Sequence, residues 1–330
     1  MIGWYVHHHG SGHRTRALQV ARELQAPVVG FSSLPAPDGW PGQWCRLPAD
    51  LAEDPGDPTA GGVLHWAPLD HPGHRARLGL VAARLAEDLA AMVVDTSAEV
   101  TLLSRLFGVP TAVMAMRGDR TDRPHLAAYD AAGLILAPWS AAAAEPGWPE
   151  RWAARTVHVG AISRFDGLPR PGADRVAGPR RVLLVWGAGG HDATDADLAA
   201  ARAATPGWQW TVRTPAQPSP DLWADLAAAD VVVTHGGQNA VAELAAARRP
   251  AVVVAQRRPF DEQHGTVAAL RRLETCVALD GWPHPERWPD LLHRAEALGG
   301  DRWAAWGDGR GAARAARAIE ALAAGTGAAR

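Results

Sequence analysis

Residues 7 to 13 read His7-His8-His9-Gly10-Ser11-Gly12-His13, four imidazoles and two glycines in one short stretch. An imidazole titrates near neutral pH, so such a stretch can move protons, hold a metal or simply turn the chain. Metal chelation fits poorly, because adjacent residues 7, 8 and 9 point in different directions whereas a zinc site collects its ligands on one face. A purification tag is usually longer and sits on a tail, but these histidines lie between an apolar run at 2–6 and a helical pattern. The expectation is a strand-to-helix turn in which Gly10 and Gly12 let the backbone approach a ligand. Free N–H groups and the helix dipole near Arg14 favour an anion there. A purely structural glycine turn is the alternative.

A second stretch, DVVVTHGGQNAVAELAAARRPAVVVAQRRPFDEQ at 230–263, offers chemistry of another kind. A buried strand runs into His235, Gly236, Gly237, Gln238 and Asn239, whose backbone amides can face a diphosphate. Glu243 follows one turn into a helix, and its two carboxylate oxygens suit the vicinal hydroxyls of a ribose. After the next strand, Asp261, Glu262 and Gln263 form a polar cluster suited to sugar hydroxyls. A further glycine-rich turn, Gly187-Ala188-Gly189-Gly190-His191-Asp192, follows the strand at 181–186. Neither glycine turn completes the G-x-G-x-x-G dinucleotide fingerprint, and no acidic residue ends the second strand, so a dehydrogenase is not expected.

The elements that position these residues follow from hydropathy. Near-continuous apolar runs occur at 2–6, 27–31, 91–95, 110–115, 133–137 and 156–159, then at 181–186, 208–213, 230–234 and 250–255. Strands apolar at every position are buried on both faces, as in a parallel sheet covered by helices. Between them lie segments such as TRALQVARELQ, with Ala17, Val20, Ala21 and Leu24 at helical spacing. The strand, glycine turn and helix pattern restarts near residue 181. The expected fold class is therefore α/β with two Rossmann-like, doubly wound domains facing a cleft, residues 1–163 and 164–330. The Pro/Gly-rich stretch 163–179 is the expected linker, and the terminal GAARAARAIEALAA is an amphipathic helix that can pack back on the first domain. Residues 34–62, rich in Pro, Gly and Asp, read as a surface excursion without an assigned role.

Composition narrows the function. The 330 residues carry a net charge of −2, which favours neither nucleic acid nor an anionic membrane as main partner. All 33 basic residues are arginine. The absence of lysine removes Walker-A NTPases, protein kinases and Schiff-base mechanisms, each of which needs a lysine amine. Two distant cysteines, Cys45 and Cys276, fit a reducing compartment and no disulfide framework. With neither a signal peptide nor an 18-residue apolar stretch expected, the chain reads as a cytoplasmic protein, with peripheral membrane contact left open.

The pattern H-G-G-x-N-x-x-x-E followed by E-Q resembles the nucleotide-sugar signature of GT-B glycosyltransferases. It is most similar to family 28, typified by the undecaprenyl N-acetylglucosaminyltransferases of peptidoglycan synthesis. Gly10-Ser11-Gly12-His13 before a helix resembles that family's N-terminal glycine loop. VGAISRF at 159–165 resembles its domain junction, where an arginine contacts donor phosphate. The resemblance implies a donor site of Arg164, Gly189, Gly190, His235, Gly236, Gly237, Gln238, Asn239, Glu243, Glu262 and Gln263. It also implies an acceptor-side loop of His9, Gly10, Ser11 and Gly12. Three departures stand out. His8 and His9 replace two glycines, Ala188 replaces a serine that holds phosphate, and Thr266 replaces an asparagine. The donor class survives these changes, but the peptidoglycan acceptor does not carry over.

An inverting transferase needs a base for the acceptor hydroxyl, and His13 suits that task. Asp95, at the carboxyl end of AMVVD, can orient its imidazole, the dyad arrangement of related plant glycosyltransferases. The plainer readings are a loop histidine contacting backbone, and a helix cap supplied by Asp95 or Ser97. At least one of His7, His8 and His9 is expected to pack at the strand end. Glu243 also has a plain reading, as an early-helix acid stabilised by the dipole. No metal or cofactor is expected, since the only D-x-D, Asp195-Ala196-Asp197, lies in a helical stretch. The expected partners are a nucleotide-diphosphate sugar, with uridine as the base, and a small-molecule, natural-product or lipid-linked acceptor. A nucleotide-sugar 2-epimerase and a non-catalytic nucleotide-sugar binder are the alternatives. The many tryptophans are expected mostly to pack domain surfaces.

Overall fold

The computed structural model describes residues 1–8, 12–87, 89–170, 178–187, 189–190 and 192–325. Two parallel sheets organise it, one in each half of the chain. The first half contains β1 (Ile2–Val6), α1 (Gly12–Glu23), β2 (Val28–Ser32), β3 (Gln43–Arg46), α2 (Pro72–Leu85) and β4 (Ala91–Asp95). It continues through α3 (Ala98–Leu106), β5 (Thr111–Met114), α4 (Arg123–Ala131), β6 (Leu134–Ala137), α5 (Glu150–Ala153) and β7 (Thr156–His158). Its seven strands lie in the order β3-β2-β1-β4-β5-β6-β7.

The second half begins with β8 (Arg180–Val185), α6 (Asp195–Ala204), β9 (Trp208–Arg213), α7 (Leu222–Ala228) and β10 (Val231–His235). It then has α8 (Gln238–Ala247), β11 (Ala251–Val254), α9 (Glu262–Arg272), β12 (Val277–Leu279), α10 (Trp288–Leu298) and α11 (Gly311–Ala323). Five strands lie in the order β12-β11-β10-β8-β9. The expected doubly wound α/β fold is what forms. In each sheet the order reverses beside the first strand, and open parallel sheets bind ligands outside the carboxyl ends of their strands at such switch points.

The apolar runs explain this arrangement. β1, β2 and β4 are buried at every position, because helices cover both faces of the first sheet. In α1, Ala17, Val20 and Ala21 turn to the sheet. The terminal α11 leaves the second half and buries Ala315, Ala316 and Ile319 in one cluster with Ile2, Trp4 and Val93 of the first. Glu320 Oε1 accepts a hydrogen bond from the Gln25 amide at 2.7 Å, fixing that contact. The chain thus crosses between the halves twice, which restrains their relative motion.

Two strands, β3 and β12, lie outside the apolar runs, and β12 pairs with β11 at the edge of the second sheet. Within 34–62, β3 adds an edge strand beside β2, pairing Trp44 with Gly30 and Cys45 with Phe31. Its sequence QWCR is only half-buried, so it lacks the apolar run that reveals most of the strands. The tryptophans largely serve packing, with Trp4, Trp139, Trp288 and Trp303 fully buried.

Candidate active site between the two sheets

The carboxyl end of β4 delivers Asp95, which is completely buried. His13, in the first turn of α1, places Nδ1 2.9 Å from Asp95 Oδ1. A carboxylate only accepts, so Nδ1 carries a proton, and in the neutral imidazole the lone pair is left on Nε2. Ser97 caps α3 by accepting from the Val100 amide at 3.2 Å, which leaves Asp95 for the imidazole. Between them Thr96 has φ +62, a left-handed conformation costly for a β-branched residue and often found where a site fixes the backbone.

Sequence reasoning missed Arg16. It is nearly as buried as Asp95, and its Nη2 donates to both carboxylate oxygens at 2.7 and 2.9 Å. His13 and Arg16 are three residues apart, hence neighbours on one helix face, and that spacing was the available signal. Burial pushes the Asp95 carboxyl upward, but the Arg16 charge and the contacts of Arg16 and His13 outweigh it and hold it at about 2. Arg16 Nη1 also donates to Gln238 Oε1, in the second half of the molecule.

Other contacts join the halves here. Asn239 Nδ2 donates to the Gly12 carbonyl at 3.2 Å, and Gln238 Nε2 to the Ala115 carbonyl at 3.4 Å. A Cβ on Gly12 would lie 3.2 Å from Asn239 Nδ2, so a glycine suits this close approach. The Asp119 amide donates to the Phe260 carbonyl at 2.7 Å, and Gly118 beside it has φ +90. His9, Gly10 and Ser11 of the acceptor-side loop lie outside the described residues, as do Ala188 and His191.

The donor-side residues gather at the carboxyl ends of β8, β10 and β11, where many of them contact one another. The Gly236 amide donates to Gln263 Oε1 and the Gly237 amide to His235 Nδ1, both at 3.0 Å. These two amides are therefore occupied. The first turn of α8, from Gln238, has no side-chain cap and keeps its amides for an anion. Gln263 is buried, and its oxygen also accepts from the Gln256 amide at 3.0 Å. That oxygen holds the glycine turn, and Nε2 lies 3.4 Å from His235 Nδ1. Burial, then the Arg258 charge, pushes the His235 imidazole down to about 4, so it stays neutral and can accept from Gly237. Arg258 Nη2 donates to the carbonyls of Gly189 and Gly190, tying that loop to the one after β11.

Glu243 and Arg164, expected at the ribose and the phosphate, pair with each other at 2.8 Å. Burial raises the Glu243 carboxyl above its ordinary range, while the Arg164 charge and hydrogen bond oppose the rise. A donor reaching Glu243 must share or open this pair. Glu262 Oε2 lies 3.8 Å from Arg120 Nη2, across the junction.

Beside the His13–Asp95 pair lies a cavity of about 340 Å³. His7, His8, Thr96 and Ser97 form its near side, and Asp50 and Leu51, from the excursion without an expected role, contribute to its wall. The His7 ring stacks on His8 at 5.0 Å and meets the His13 ring edge-on at 5.8 Å. Separately, His65, Asp122 and His125 bring their ligand atoms within 4.8 Å of one another, a set that could hold a metal ion. Arg120 Nη1 lies 3.2 Å from His125 Nε2, and Asp122 already caps α4 by accepting from the His125 amide at 3.0 Å. Hydrogen bonds from His65 and His125 to Asp122 account for this cluster without an ion.

Residues 218–274, spanning β10, α8, β11 and α9, match the glycosyltransferase family 28 C-terminal domain. No curated protein matches the chain by sequence. Among solved structures, the kitacinnamycin glycotransferase is 18% identical over 97% of this chain and 98% of its own, with TM-score 0.63. MurG of Acinetobacter baumannii is 14% identical over 97% and 98%, with TM-score 0.65. The spinosyn rhamnosyltransferase SpnG, in complex with thymidine diphosphate, is 16% identical over 96% and 100%, with TM-score 0.61. The fold is GT-B. That frame and the family 28 segment are what the chain shares with glycosyltransferases.

Proposed function

We propose that this chain transfers a sugar from a nucleotide-diphosphate donor to a hydroxyl of a small acceptor, with inversion at the anomeric carbon. The observation that carries the reading is the His13–Asp95 hydrogen bond at 2.9 Å. It stands between a cavity large enough for an acceptor and the glycine turn of the family 28 segment. His13 Nε2 takes the proton as the acceptor oxygen attacks the anomeric carbon from the face opposite the diphosphate. The bond to the diphosphate breaks in the same displacement, and the nucleotide diphosphate leaves. Asp95 holds the imidazole in the required tautomer and stabilises the imidazolium. The first-turn amides of α8, with Arg164, stabilise charge growing on the diphosphate.

The donor is proposed to be uridine- or thymidine-linked, with Glu243 on the ribose; the thymidine diphosphate bound by the spinosyn rhamnosyltransferase supports this class. Two of the similar structures carry names of natural-product glycosyltransferases, which supports a small-molecule acceptor over a lipid-linked one. A separate cavity beside the base is a feature that neither a 2-epimerase nor a non-catalytic binder requires. The test is transfer from UDP- and TDP-sugars to a panel of hydroxylated small molecules, with the product's anomeric configuration read by NMR. A product retaining the donor's configuration would overturn the inverting mechanism. Absence of transfer together with absence of nucleotide binding would overturn the function.

A further inference from the structure

The lining of the 340 Å³ cavity includes a polar cluster that the proposed chemistry does not use. Asp50 and Arg77 are both buried there and form an ion pair. Arg77 Nη2 also donates to the Tyr5 hydroxyl at 3.2 Å. His8 Nε2 stands 3.8 Å from one Asp50 oxygen and His74 Nδ1 3.7 Å from the other. The 3.7 Å separation of His74 from Asp50 exceeds a direct hydrogen bond, yet suits a third polar group that bridges the two. Leu51, Leu78, Val100 and Trp66 give the same cavity an apolar lining.

Resting on the transferase reading, we infer that the acceptor is a compact, apolar-bodied molecule with a second, neutral hydroxyl that donates to Asp50 while the first meets His13. The size follows from the volume, which lies at the small end of ligand pockets and fits a body of one or two rings. The charge follows from the cluster. Arg77 neutralises Asp50 and disfavours a cationic group, while Asp50 and the nearby Glu99 disfavour an anion. A neutral hydroxyl can donate to the carboxylate and accept from Tyr5, whose own proton is held well into the alkaline range by burial. Burial likewise lowers His74 and favours its neutral form, against the pull of Asp50.

Two probes that differ by one hydroxyl test this: 4,4′-dihydroxybiphenyl and 4-hydroxybiphenyl, titrated by calorimetry and tryptophan fluorescence. The dihydroxy probe should bind about tenfold more tightly to the unaltered protein, and Asp50→Asn should reduce that ratio to near one. Because Asp50→Asn leaves Arg77 without its charge partner and can unfold the domain, His74→Gln serves as the second variant and should at least halve the ratio. Equal affinities for the two probes, no binding of either, or full discrimination kept in every variant that folds would overturn the inference. The readout is binding, so it is separable from the function. Hydroxyl discrimination without sugar transfer to any acceptor would sink the transferase reading and leave the pocket assignment standing. Transfer to acceptors regardless of a second hydroxyl would do the reverse.

Discussion

Asp95→Asn and His13→Ala should separate the structural from the chemical share of the buried charge cluster. Asparagine preserves the shape of Asp95 but removes its charge, so Arg16, itself buried, loses the carboxylate that accepts its 2.7 and 2.9 Å bonds. Breaking a buried ion pair from one side typically costs about 3–5 kcal/mol. At about 2–4 °C per kcal/mol for a domain of 150–250 residues, that is a fall of roughly 6–20 °C in Tm. His13→Ala leaves the Arg16–Asp95 pair intact, and its Tm should move far less. Turnover behaves differently. Loss of a general base costs about 10²–10⁴ in rate, and both variants should show it, because Asp95→Asn also upsets the imidazole tautomer. Their double mutant should lose less than the sum in barrier height, since both act on one step. Differential scanning calorimetry and single-turnover transfer read the two quantities. Full turnover by His13→Ala would refute the base assignment, and an Asp95→Asn protein as stable as the parent would refute the buried-pair argument.

The depressed carboxyl of Asp95 also sets an acid limit. Its contribution of roughly 2 kcal/mol is present above the unfolded value of 3.8 and lost as pH falls from there toward about 2, which acid-unfolding curves at stepped pH will show. With asparagine at position 95, that part of the pH dependence should vanish. Glu243→Ala should weaken nucleotide binding by ~1–3 kcal/mol in calorimetric titration, and unchanged affinity would remove Glu243 from the donor site. Transfer should persist in excess EDTA; loss on chelation with recovery on adding magnesium or manganese would assign a metal to the reaction. Gly118→Ala should lower Tm markedly, because the residue sits at φ +90 and a Cβ would come within 2.0 Å of the Phe260 carbonyl oxygen. An unchanged Tm would mean that the junction at Phe260 adds no stability.

Sequence periodicity alone determined the two parallel sheets, because strands covered by helices on both faces must be apolar at every position, as AMVVD and DVVVT are. It also exposed the family 28 segment, since a glycine turn, its helix and Glu243 lie within about ten residues of one another, where local geometry is set by spacing. What it could not show were pairings between residues far apart in the chain. Arg16 reads as one more charged helix residue until the fold stacks α1 against β4 and α8 and buries its guanidinium between Asp95 and Gln238. Asp50 stands in a stretch with no periodic pattern, and only the packing of that stretch against α2 sets it beside Arg77, His8 and His74. Gln263 reads as one of three polar residues in a row, and only the fold turns its side-chain oxygen to the Gly236 and Gln256 amides. Spacing fixes what lies within one helical turn; which buried charge meets which partner is decided by tertiary packing, because the desolvation cost of each charge is met only by the partner that the fold brings to it.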